Sequence, residues 1–255
     1  MMFGRMTKAL IQQDWRAFVL ETMIVILGVF LGLQVDNWNT EREDLARGYD
    51  YLERIRDDLD ADRAVYADRV RFWDAVADFG KIGLAYAETG DAAGRSQWEL
   101  LLAYFQASQI AELFVTRGTY DELKSASELG LIYDLDLRKR LAFYYTNADN
   151  VAFTERPDYR RHIRGIVPID IQDYIWDHCF EEDPAGGQSL VNCESPIESD
   201  RAASLVERIS RDEALMEELR YWVSALRVAV IIADNGHTLA DELLALVNAE
   251  LDASR

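Results

Sequence analysis

Apolar residues run almost unbroken from Ala17 to Val35, AFVLETMIVILGVFLGLQV, with Glu21 and Gln34 near the two ends as the strongly polar exceptions. At ~1.5 Å of rise per residue this run covers the hydrocarbon thickness of a bilayer. A buried helix of a soluble protein usually carries a polar stripe, and between Met23 and Leu33 there is none. Trp15 and Trp38 flank the run roughly 34 Å apart along a helix, the separation of the two interfacial aromatic belts. The pattern predicts a leader at 1–16, one transmembrane helix at 17–37 and a helical domain at 38–255.

Beyond Trp38 the periodicity changes to an amphipathic one. Trp38, Leu45, Leu52, Leu59, Tyr66 and Trp73 recur every seven residues, with Ile55 and Val70 in the second seam and Asp62 occupying a seam position as well. Two readings are open: a long helix packing on its own domain, or a parallel stalk between identical chains. Gly80, Gly83 and the run GDAAG at 90–94 predict a break. Ser96–Phe114 reads as a strongly apolar central helix. Thr119 with Glu122 suggests a capping box opening a short helix that stops at Gly130. Asp134 or Asp136 caps the next helix, with a kink or break at Pro157. Another short helix covers Ile169–Phe180.

Ser195, Pro196 and Glu198 read as a capping box with proline at the first helical position, and Ser210 with Glu213 as a restart. Asn235-Gly236 predicts an interruption before a last helix opened by Thr238. The apolar segment Trp222–Ala233 is too short to span and contains Arg227. No alternating run is long enough to announce a sheet, so the fold expected is all-α: the membrane helix continuing into a long helix, then an antiparallel helical bundle.

The net charge of −19 argues against nucleic-acid binding, which draws on lysine and arginine to neutralise phosphates, and it disfavours close contact of the domain with anionic lipid. No small-x-small cleavage site follows the apolar run, so it reads as a retained signal anchor rather than a removed leader. Arg5, Lys8 and Arg16 before it only narrowly outweigh Arg42 and Arg47 after it. The two cysteines, Cys179 and Cys193, bracket a turn-rich loop, CFEEDPAGGQSLVNC, that either closes in a disulfide or holds unrelated thiols. With the charge bias, a bridge favours a cytoplasmic N-terminus and an extracytoplasmic domain on the inner membrane, periplasmic in a Gram-negative source.

Candidate chemistry is sparse. Gly28 and Gly32 form a GxxxG groove, and Glu21, Val25, Val35 and Asn39 share its face, which suggests self-association or docking on a larger membrane protein. Glu21 is either hydrated near the headgroups or a functional intramembrane acid. Arg156, Arg160, Arg161, His162 and Arg164 are the one basic cluster, either paired with acidic neighbours or open to an anion. Tyr120 and Lys124 match Y-x-x-x-K without the glycine-rich fingerprint that would give it meaning. His162, His178 and His237 lack partners at metal-ligand spacing. Asp57, Asp58, Asp60 and Asp62, interleaved with Arg54, Arg56 and Arg63, read as a solvated helix face. No metal, cofactor or catalytic motif is expected.

Two stretches resemble an uncharacterised family of bacterial single-pass membrane proteins. The first is FVLETMIVILGVFLGLQVDNWNTERED followed by YLERIRDDLDAD, with Gln34, Asn37, Trp38 and Asn39 as the matching exit from the membrane. The second is TYDELKSASELGLIYDLDLRKRLAFYY, with Tyr120, Glu122, Leu123, Gly130 to Ile132, Leu137, Arg138, Tyr144 and Tyr145. The family's short Ser-Gly turn is SASELG here, and the Cys loop departs from its pattern. The resemblance implies the topology and carries no assigned activity. Three classes of function follow: a membrane-anchored binding, scaffold or sensing module; an envelope enzyme whose site assembles only in the fold; or an accessory subunit of an ion-driven membrane complex.

Overall fold

A computed structural model describes residues 15–148, 150, 152, 154–184 and 186–253, with side chains from residue 19 onward. The fold is all-α apart from one small hairpin. Among the described residues the helices are α1 (Trp15–Thr89), α2 (Gln97–Gln106), α3 (Gly118–Ser125), α4 (Leu135–Asn147), α5 (Asp158–Ile166), α6 (Ile169–His178), α7 (Ser199–Ser210) and α8 (Glu213–Ala253). Strands β1 (Phe180–Glu182) and β2 (Gln188–Leu190) lie between α6 and α7. Internal contacts divide the chain after Tyr51.

The first unit contains the apolar part of α1. From Leu20 to Val35 its large apolar side chains are 52% to 63% exposed, and Trp38 is 65% exposed. The polar exit is tied locally, with Asn39 donating to Glu43 at 2.7 Å and Arg47 paired with Asp44 at 2.6 Å.

In the second unit the heptad reading resolves. Leu52, Ile55, Leu59, Tyr66 and Trp73 are buried, so this part of α1 packs on its own domain. Helix α2 is apolar nearly all round and buried nearly all round, which makes it the centre of the core. It opens with a capping box: Ser96 Oγ accepts from Glu99 N, and the Glu99 carboxylate accepts from Ser96 N at 2.7 Å.

The glycines are where the expected boundaries fail. Helix α1 continues through Gly80 and Gly83 and stops at Gly90, whose φ of +70° gives the left-handed residue that ends many helices. Helix α8 runs through Asn235-Gly236 without interruption. These glycines are seats for neighbours. A Cβ on Gly83 would lie 2.6 Å from the Tyr104 ring, and one on Gly236 would lie 2.7 Å from the Tyr66 ring. Tyr104 completes its contact by donating to Gly83 O at 2.7 Å.

We therefore expect Gly236→Ala to destabilise the domain by about 1–2 kcal/mol. The gain in helix propensity is about 1 kcal/mol, and overpacking against a buried ring costs up to about 3 kcal/mol. Gly28→Ala, where nothing lies within 4 Å, should leave the denaturant midpoint unchanged or raised. Equal midpoints for Gly236→Ala and the wild type would refute the seat.

Other expected boundaries shift for local reasons. Helix α2 ends at Gln106 rather than Phe114, because residues 107–117 form an irregular strap whose polar groups bond to distant side chains. Thr119 is not the N-cap: Arg117 holds that position without a side-chain capping bond, and Glu122 pairs with Arg54 instead. Helix α3 stops at Ser125, Ser127 takes the left-handed conformation, and Gly130 lies in a single 3₁₀ turn. Asp134 caps α4, accepting from Asp136 N and Leu137 N. Helix α4 ends at Asn147, and Pro157 flanks the start of α5.

Ser195 makes a local turn with Ile197, so α7 begins at Ser199 without a capping box. Asp212 accepts from Leu215 N at the start of α8, the role expected of Ser210. The antiparallel hairpin pairs Phe180 with Leu190 and Glu182 with Gln188 and closes through Gly186 at φ +84°. Its three-residue strands are too short for alternation to register in the sequence.

A buried carboxylate among tyrosines

Asp58, Asp62 and Tyr66 fall four residues apart on α1 and therefore on one helix face. The charge pattern places Asp62 in a solvated run, and the structure corrects this: it is 1% exposed. Its Oδ1 accepts from Thr116 N at 2.7 Å and its Oδ2 accepts from the Tyr144 hydroxyl at 2.7 Å. Among the described residues no arginine, lysine or histidine pairs with it. Burial pushes the Asp62 carboxyl above the usual carboxylate range, against the lowering effect of its hydrogen bonds with Thr116 and Tyr144.

Tyr66 is hydrogen-bonded to Tyr144. Tyr144 has one hydroxyl hydrogen and gives it to Asp62, so the chain of phenols ends on the carboxylate. Burial pushes the Tyr66 hydroxyl up to about 12 and drives Tyr144 and Tyr145 higher. Tyr145 stacks on Tyr120 at 4.5 Å and meets Tyr144 edge-on at 5.0 Å. These geometries match the attraction of ring edges and offset faces. A cleft of about 210 Å³ opens beside this chain, lined by Tyr66, Phe143, Tyr144, Asn147, Ile232 and Leu239 among others.

No family model, curated protein or solved structure matches the chain.

The remaining candidates fall as follows. Cys179 and Cys193 are bonded, and the cross-link closes the hairpin loop. For a separation of 14 residues it contributes about 3 kcal/mol in the chain-entropy picture. Trp98 Nε1 donates to Cys193 O at 2.9 Å, which ties the loop to α2. Glu21, Val25, Gly28 and Gly32 all lie on the exposed part of α1. The side chain of Trp15 lies outside the described residues.

The basic cluster clamps the strap. Arg160 donates to Ser108 O at 2.7 Å, and Arg164 donates to Ser108 Oγ at 3.2 Å and Gln109 Oε1 at 3.0 Å. Arg164 also lies over the rings of Phe105 and Trp176, and burial pushes its guanidinium down to about 10. Arg156 pairs with Glu112 at 2.8 Å, while exposed Arg161 reaches Asp158 at 3.7 Å. His162 sits between Asp212 and Glu218, His178 stacks on Tyr174, and His237 pairs with Asp241. Among the described residues no group of three metal-ligating side chains converges.

Tyr120 is buried in the stack against Tyr145 while Lys124 is exposed, which removes the Y-x-x-x-K pairing. The network that the structure assembles was half visible. Tyr120, Tyr144 and Tyr145 belong to the second resembling block, and an acid at a seam position, Asp62, is the signal that a buried carboxylate was required.

Proposed function

We propose that this chain is a membrane-anchored helical module of the bacterial envelope that binds, scaffolds or senses, with its N-terminus cytoplasmic and its main domain extracytoplasmic. The observation that carries the reading is the outward-facing apolar stretch of α1. Its best window is apolar enough to cross a bilayer, and none of it is buried inside the protein. Eleven large apolar side chains from Leu20 to Val35 are exposed. At roughly 0.5 kcal/mol each on the insertion scale, they favour the bilayer by about 5 kcal/mol. Left in water they would form an apolar surface larger than soluble monomers usually carry.

The disulfide is compatible with an oxidising compartment. Membership in the resembling single-pass family is part of the same proposal. So is association through the face of Glu21, Val25, Gly28 and Gly32, where a helix could approach a backbone with no Cβ in the way.

The test is extraction and crosslinking in native membranes. The chain should stay in the pellet through alkaline carbonate, and single cysteines at Val25, Gly28 and Gly32 should crosslink in preference to those at Ile26 and Phe30. Release by carbonate refutes the anchor; equal yields on both faces refute the interface.

A further inference from the structure

The cleft beside Tyr66 and Tyr144 has an aromatic lining without a basic side chain, and that character selects a class of ligand. Three elements build it: α1 supplies Tyr66, α4 supplies Phe143, Tyr144 and Asn147, and α8 closes the far side with Asn235 and Leu239. Tyr144 gives its one hydroxyl hydrogen to Asp62 and has oxygen lone pairs left, while Asn147 gives one of its two amide hydrogens to Phe143 O at 2.7 Å and keeps its carbonyl oxygen as an acceptor. The described lining contains no lysine, arginine or histidine.

Behind Tyr144 stands the Asp62 carboxylate, one hydroxyl away and with no cation paired to it among the described residues. Arg63, next to Asp62 on α1, is engaged elsewhere, with Asp60 and Asp241. Asp58, one turn away on α1, adds a second negative charge that acts on Asp62. Aromatic faces attract an organic cation through their quadrupole, and a buried carboxylate in a low-dielectric setting adds a charge that water screens only in part.

We propose that this cleft binds a small quaternary ammonium group. Phe143, Tyr66 and Tyr144 are its aromatic walls, and Asp62, acting through Tyr144, is its counter-charge. The volume of about 210 Å³ admits such a head group and excludes a drug-sized ligand. The site stands whether or not α1 crosses a bilayer, so its failure leaves the anchoring proposal untouched.

The experiment titrates the full chain, in an uncharged detergent at fixed ionic strength, with choline, with tetramethylammonium and with 3,3-dimethylbutan-1-ol, the neutral isostere of choline. Calorimetry and tyrosine-ring NMR read the binding. Both ammonium ions should saturate the protein, with the isostere weaker by about tenfold or more. Asp62→Asn should remove that preference, and Phe143→Ala, at an exposed position whose loss leaves the core intact, should weaken both ammonium ions. Absence of saturation by either ammonium, equal affinity for the neutral isostere, or an unchanged preference in Asp62→Asn overturns the assignment.

Discussion

Leu27→Arg combined with Leu31→Arg is expected to move the chain from the membrane pellet to the soluble fraction while leaving the thermal unfolding of the domain unchanged. Each arginine near the centre of a spanning helix costs about 3 kcal/mol and forfeits about 0.5 kcal/mol of favourable transfer, so the pair costs about 7 kcal/mol. That exceeds the roughly 5 kcal/mol contributed by the exposed apolar side chains of α1, and the sign of the partition reverses. The two leucines are 52% and 60% exposed, so the purified, oxidised variant should unfold within about 0.5 kcal/mol of the wild type. Persistence of the variant in the carbonate-washed pellet would count against membrane insertion as the force that holds the chain there.

A single substitution at Asp62 should weaken the domain strongly. Asp62→Ala leaves Thr116 N–H and the Tyr144 hydroxyl without their acceptor in a buried setting, at about 1–3 kcal/mol each. Relief from burying a carboxylate offsets part of this, so the expected loss is about 3 kcal/mol, or roughly 6–12 °C in Tm for a domain of this size. Asp62→Asn retains a carbonyl for Thr116 and should stay within about 1 kcal/mol of the wild type at neutral pH.

The pH dependence has a defined sign. Burial raises the folded-state pKa of Asp62 above its unfolded value of about 3.9, so ionisation opposes folding. The stability of the wild type relative to Asp62→Asn is therefore greatest below the unfolded pKa. It falls as pH rises through the folded value and is flat above it. Chemical denaturation of the pair across that range checks this; a wild type that gains on the variant as pH rises would show that its hydrogen bonds outweigh burial.

Capping signals were legible in part. Ser96 and Asp134 cap α2 and α4, as a short polar side chain before an apolar periodic run suggests, whereas Ser195 turns onto Ile197 and Asp212 takes the place expected of Ser210. The apolar run from Ala17 stood out because nothing else in a sequence looks like it. Glycine was ambiguous. Gly90 ends a helix through a positive φ, whereas Gly83 and Gly236 lie inside helices because a tyrosine ring needs the space. Nothing within several residues of Gly236 distinguishes these uses, since its partner Tyr66 is far away along the chain.

The same holds for the site. Asp62 and Tyr144 are separated by 82 residues, and no spacing rule joins them. The acid at an apolar seam was visible, but its tyrosine partners were legible only as part of a resemblance. The strap was hidden because its hydrogen bonds go to side chains outside it, which leaves no periodicity to detect.

The two loops bordering α2 differ in a way that matters to anyone labelling this protein. The turn at Asp91–Gly94 satisfies itself, with Thr89 and Asp91 side chains bonding backbone amides within two residues. The strap depends on Trp73, Trp222 and Arg160 for the carbonyls of Ala111, Ala107 and Ser108, and on Asp62 for Thr116 N. An epitope or fluorophore spliced into the turn displaces only its own neighbours. Spliced into the strap, it would detach four distant anchors together, so the turn is the place for a tag.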